Sequence, residues 1–157
     1  MDITIDIEDY KLNIRAAVVI IHNNKILVHR NTKSDHYALL GGRVEIGEAS
    51  EETVKREVLE ETGKKIEITG YVSTIENFFE MKGSKYHEIL FVYKAEFVDE
   101  QDRHIEETIK NVEGKEYLQY EWLDLDKIDE YPLQPKVVKE ILKGNQFPIH
   151  KINIDNK

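Results

Sequence analysis

The sequence predicts an α/β domain in which helices pack against the faces of a mixed central sheet. Three observations carry this. Short runs rich in β-branched and aromatic residues recur along the chain, two separate stretches carry helical signals, and no repeat or linker divides the 157 residues. A chain of that length is one domain with one sizeable core. We place that single domain over 1–157, with its core over about 12–145.

The first strand is read at 14–21, IRAAVVII, a short apolar run between polar flanks. His22-Asn23-Asn24 supplies a turn because asparagine tolerates positive φ, and 25–30, KILVHR, returns as the second strand of a hairpin. A polar loop over 31–36 leads into Tyr37-Ala38-Leu39-Leu40 and the pair Gly41-Gly42. The run from Glu51 to Thr62 reads as a helix, with Ser50 as N-cap, Glu51 and Glu52 at the positive end of the dipole, and Gly63 as the left-handed terminator.

Residues 66–75 predict a strand interrupted at Gly70, followed by a mixed segment over 76–84 with a turn at Lys82-Gly83-Ser84. The run 86–97, YHEILFVYKAEF, predicts a strand buried on both faces. Residues 99–116 are charged and read as a loop or short irregular pieces, and 117–125 alternate as a further strand. Pro135 opens a helix to about Lys143, with Val137, Val138, Ile141 and Leu142 as its apolar face. The tail, 146–157, carries few signals and reads as loose.

Composition removes several functional classes. No run approaches the 18 or so apolar residues of a membrane span, and the N-terminus is acidic where a secretory leader is basic. The absence of cysteine excludes disulfides, thiolate metal sites and thiol nucleophiles. Together these favour a cytoplasmic protein. A net charge of −9 argues against broad nucleic-acid binding, though not against a phosphorylated small molecule, since bound cations invert the local field.

The chemistry concentrates in 42–64, GRVEIGEASEETVKREVLEETGK. At 100° per residue, Glu57, Glu60 and Glu61 fall on one helical edge, with Glu57 and Glu61 one turn apart. Such an edge is either a solvated acidic face or a hard-cation site, because carboxylates suit Mg²⁺ or Mn²⁺. The spacing of the whole stretch separates the two. Gly42, five residues, Glu48, seven residues, Arg56-Glu57-Val58, then Glu60-Glu61, one residue and Gly63 resembles the Nudix hydrolase (MutT-like) signature. The Glu121-Trp122-Leu123 sequence also resembles a feature of these domains. Two departures are local: Lys64 stands where the family places an apolar residue, and Leu40 where it often has proline.

The resemblance implies a Nudix α/β/α sandwich and hydrolysis of a nucleoside diphosphate linked to a further group X, by water attack on phosphorus. It implies Mg²⁺ (or Mn²⁺) held by Glu57, Glu60 and Glu61, with a backbone carbonyl from Gly41 or Gly42. Glu48 and Arg56 complete the catalytic set, Arg56 chiefly by holding Glu48 and the loop in register through its fork geometry. The general base stays open between a box glutamate and the later carboxylates Glu106, Glu107, Glu113 and Glu116. Arg43 is the favoured phosphate contact, with Arg15, Arg30 and His87 as further substrate candidates. Phe78, Phe79, Tyr37, Tyr86 and Trp122 are read as core before they are read as base-stacking groups.

Residues 78–82 match neither the proline nor the tyrosine marker of particular subfamilies, so nucleoside triphosphates, nucleotide sugars and dinucleoside polyphosphates remain open. The alternative function is a catalytically silent Nudix-fold module that senses a nucleotide. A protein-interaction domain explains the acidic helix but not the spacing. The resemblance also implies a homodimer.

Overall fold

The organising element is a long strand that runs through the middle of a mixed sheet and changes partners along its length. The computed structural model describes residues 1–104 and 107–155. In chain order the strands are β1 (Thr4–Ile7), β2 (Tyr10–His22), β3 (Lys25–Asn31), β4 (His36–Ala38), β5 (Leu40–Arg43), β6 (Ile66–Met81), β7 (Ser84–Phe97), β8 (Ile109–Lys110), β9 (Leu118–Asp124), β10 (Leu133–Gln134) and β11 (Ile149–Ile154). Helix α1 spans Ser50–Thr62 and α2 spans Val137–Lys143. The sheet order is β10-β4-β3-β2-β7-β6-β11, with β1 and β5 also on β2, and β9 on β3. Parallel pairs (β2 with β7, β6 with β11, β4 with β10) stand among antiparallel ones, so the sheet is mixed.

Strand alternation divides the core into two layers. Ala16, Val18 and Ile20 of β2 join Leu27, Leu40 and Val44 beneath Val54 and Val58 of α1. Ala17 and Val19 join Ile26, Val28, Ile75, Leu90 and Val92 beneath Val137, Val138 and Ile141 of α2. Each helix thus covers one face of the same sheet, which is the α/β/α sandwich. Among the described residues no helix is long and apolar enough to cross a membrane.

Several elements depart from the sequence reading. β2 begins at Tyr10 rather than 14, because its first residues pair with β1 and β7 together. β6 runs unbroken to Met81 and takes in the segment read as mixed, while register shifts beside Gly70 and Val72 absorb the predicted interruption as bulges. The turn at Lys82-Gly83 stands as expected, both residues having positive φ. β7 is not buried on both faces: its exposure alternates, because α1 covers only part of that side. Ser50 is not the cap of α1. Ala49 holds that position without a side-chain bond, and the Ser50 hydroxyl bonds the Tyr93 phenol at 2.6 Å. Gly63 does terminate α1, at φ 73°, its N–H donating to the Leu59 carbonyl. α2 starts at Val137, after Pro135.

The tail is a further correction. Residues 149–154 form β11, which pairs in parallel with Ser73–Phe78 and is held by Ser73 Oγ donating to the Ile149 carbonyl at 2.7 Å.

Candidate active site

Helix α1 is anchored by Val54 and Val58, both fully buried and one turn apart. That anchoring fixes the neighbouring edge of the helix, which carries Glu57 and Glu61, at the rim of the sheet beside β5. Gly42 of β5 is where the two meet. A Cβ there would lie 2.3 Å from Cδ and 2.4 Å from Oε1 of Glu57, so only glycine lets the carboxylate lie against the strand backbone.

Arg56 ties this edge to the loop before it. Its Nε and Nη2 grip Glu48 at 2.7 and 3.0 Å, a bidentate fork, and Nη2 also donates to the Arg43 carbonyl at 3.2 Å. Nη1 donates to Glu57 at 3.0 Å and to Glu60 at 3.3 Å. Glu48 further accepts from the Thr53 hydroxyl at 2.7 Å and the Glu45 amide at 3.3 Å. The Arg56 fork outweighs the cost of burial and holds the Glu48 carboxyl down at about 2.

The other two carboxylates sit differently. Burial pushes Glu57 up, against the pull of Arg56. Burial, then the charge of Glu57, pushes Glu61 up to about 7, although the Tyr120 phenol donates to it. Tyr120 is fully buried, receives the Asn111 amide at 3.0 Å and stacks on His29 at 5.7 Å. The sequence reading did not pick out Tyr120 or Asn111, since neither stands near 42–64 in the chain. The Val112 amide donates to the Glu61 carbonyl at 2.9 Å, bringing the following loop onto the end of α1. Glu113 of that loop adds to the negative field at Glu61.

Among the described residues, no three His, Cys, Asp or Glu side chains converge as a metal cluster. Glu60 shares Arg56 Nη1 with Glu57. The donor chemistry nonetheless fits a hard cation. Glu57 and Glu61 are desolvated oxygen donors one turn apart, and the contact that Gly42 leaves free opens onto Glu57.

On the α2 side of the sheet lies a cleft of about 400 Å³. Arg15 and Arg43 line it, as do Phe79 and Tyr86, whose rings stack at 4.8 Å within 3° of parallel. Arg43 is 39% exposed and 3.9 Å from Asp2. Other substrate candidates stand elsewhere. Arg30 is bound to Glu121 at 3.3 Å and lies over the Tyr37 ring. His87 packs on Phe78 at 4.4 Å, because strand alternation sends it to the face opposite its neighbour Glu88. Of the loop carboxylates, Glu106 lies outside the described residues.

Comparison with known families decides the classification. Residues 12–143 match the NUDIX domain. The chain belongs to the Nudix family. Among Nudix relatives, it is 27% identical over 128 residues to the NAD-capped RNA hydrolase NudC of Pectobacterium carotovorum, a match covering 80% of this chain and 44% of that protein. The chain spans less than half the length of the curated relatives it matches. A mutator MutT protein from Bacillus halodurans superposes with a TM-score of 0.62 at 23% identity, over 84% of this chain and 80% of that one. A UDP-X diphosphatase superposes equally well, at 20% identity over 90% and 66%. At these identities the two structures speak to the Nudix fold, which they share with this chain.

Proposed function

We propose that this Nudix hydrolase is a metal-dependent pyrophosphohydrolase cleaving a nucleoside diphosphate linked to X by attack of water on phosphorus. The observation that carries the proposal is the pairing of two desolvated carboxylates, Glu57 and Glu61, at the Gly42 rim, with Arg56 locked on Glu48 beside them. In this reading Glu57 and Glu61 hold Mg²⁺ (or Mn²⁺), with Glu60 as a further ligand and the Gly42 backbone as a neighbour. A bound divalent ion supplies neutralisation of phosphate oxygens and a more acidic water.

The protein's own groups have distinct tasks. Arg56 keeps the loop at Glu48 in register with α1. Tyr120, oriented by Asn111, fixes the rotamer of Glu61. Arg43 attracts the phosphates at the mouth of the cleft. Glu113 is our candidate to take the water's proton, being carried to the end of α1 by the Val112 bond. The names of the relatives keep dinucleotide-linked RNA ends and UDP-linked compounds among the substrates to test. A small nucleotide, a cytoplasmic setting and a homodimer complete the reading, the last to be checked by sedimentation.

Hydrolysis across nucleoside triphosphates, nucleotide sugars, NAD and dinucleoside polyphosphates, each with Mg²⁺, Mn²⁺ or EDTA, tests it. Turnover is expected with metal only, and Glu61→Gln should lower kcat by about a hundredfold or more with thermal stability retained. Tight binding of a nucleotide with no turnover under any condition would instead make the chain a sensor.

A further inference from the structure

A row of polar side chains crosses the sheet on the α2 side, and the hydrolytic groups make no use of it. Register aligns Thr4 of β1 with Asn13 of β2, Glu88 of β7, Asn77 of β6 and Asn153 of β11. The inner members are nearly sealed: Asn13 is 2% exposed, Glu88 and Asn77 6%, and Asn153 8%. Four buried polar groups in mid-sheet are costly unless their bonds are completed.

The direction of those bonds is informative. Asn153 donates its amide to the Asn77 carbonyl oxygen at 2.8 Å, and Asn77 donates to Glu88 Oε1 at 3.2 Å. From the other side, the Thr4 hydroxyl donates to Asn13 Oδ1 at 2.9 Å, which leaves the Asn13 amide hydrogens to serve others. Glu88, an acceptor, ends the chain of donors. Its Oε2 stands 3.8 Å from Arg15 Nε, beyond hydrogen-bond reach. A carboxylate almost wholly buried thus lines the cleft, its Oε1 bonded by Asn77 and its Oε2 in an ion pair with Arg15, beside the stacked Phe79–Tyr86 pair.

A ligand for this arrangement needs a flat face for the aromatic pair, N–H donors toward Glu88 and an acceptor toward Arg15. Adenine and cytosine place a ring acceptor beside their single amino group, and uracil flanks its N–H with carbonyls. Each sets a lone pair against the carboxylate. Guanine alone among the common bases offers two adjacent donors, N1–H and the 2-amino group, next to a carbonyl. Resting on the reading of the chain as a nucleotide hydrolase, we propose that Glu88 is its base-reading residue and that the cleft takes a guanine base, with N1–H and the 2-amino group on Glu88 and O6 toward Arg15.

The test compares guanosine with inosine nucleotides, which differ only by the 2-amino group. Binding of GDP and IDP to the unaltered protein in EDTA, by calorimetry, needs neither turnover nor a variant. GDP is expected to bind about tenfold or more tighter, the loss of one bond to a charged acceptor. The same ratio should appear in kcat/KM for GTP over ITP with Mg²⁺, and Glu88→Gln should bring it close to one. Equal binding of GDP and IDP, failure of both to bind, or an unchanged ratio in a folded Glu88→Gln protein would overturn the assignment. Absence of all hydrolysis alongside a clear GDP preference would overturn the hydrolase reading and leave the base assignment standing.

Discussion

An alanine at position 42 would drive its Cβ into the carboxylate of Glu57, whereas one at position 41 would meet the Ala16 carbonyl oxygen at 2.0 Å and the Ala17 Cα at 2.7 Å. The first obstacle is a side chain that swings away; the second is the backbone of the central strand. Gly42→Ala is therefore expected to fold and to lose about a hundredfold in kcat/KM through displacement of Glu57, while Gly41→Ala loses stability outright. Thermal melting and steady-state kinetics on the pair separate the two effects, and equal melting temperatures would refute the distinction. At the same scale, Glu48 sets an acid limit. Its carboxyl is depressed from 4.5 to about 2 in the fold, so the unfolded chain binds the proton first as pH falls. The stabilisation is fully present above pH 4.5 and is lost as pH drops through about 2. Glu48→Gln should cost about 2 kcal/mol at neutral pH and flatten the acid limb of a melting-versus-pH curve.

At the scale of elements, β11 is the edge strand that completes the row beneath the cleft, since Asn153 supplies the donor to Asn77. Ending the chain before Pro148 would strip backbone partners from Ser73–Phe78 and leave the Asn77 carbonyl oxygen without its donor. We expect a loss of at least about 3 kcal/mol, roughly 10 °C in Tm. A truncated chain melting within a degree or two of the full one would contradict this role. The strand escaped the sequence reading for a physical reason. Two of its three isoleucines, Ile152 and Ile154, point outward, 57% and 64% exposed, while the most buried inward position belongs to Asn153, and Ile149 alone packs on the core. Pattern reading looks for apolar residues facing in, and here polar bonding fills that role. Helix α1 had the opposite property: its apolar spacing, acidic first turn and terminal glycine all agree with its place in the fold. Only its cap was misjudged, because a tertiary partner, Tyr93, takes the Ser50 hydroxyl.

For the whole molecule, what was legible followed sequence distance. Glu48, Arg56, Glu57, Glu60 and Glu61 lie within one turn-and-helix unit, so spacing alone brings them together. Asn13, Glu88, Asn77 and Asn153 come from four strands, and each in isolation is an ordinary polar strand residue. Only the register of β2 on β7 and β6 on β11 makes them neighbours. His87 and Arg30 lie away from the cleft on the same ground: which face a strand residue takes is settled by pairing, not by composition.

That same register has a kinetic consequence. The β6–β7 hairpin closes locally around Lys82-Gly83, but Lys85 meets Asp9, and Ile149 meets Ser73, each across 76 residues. Loop closure on that scale must precede any reward from the parallel pairs, so the hairpin is placed to form first and the two flanking strands to dock onto it afterwards. Refolding should then run in milliseconds to seconds rather than microseconds. The last of the described strands in chain order, β11, would be the one that finishes the floor of the cleft.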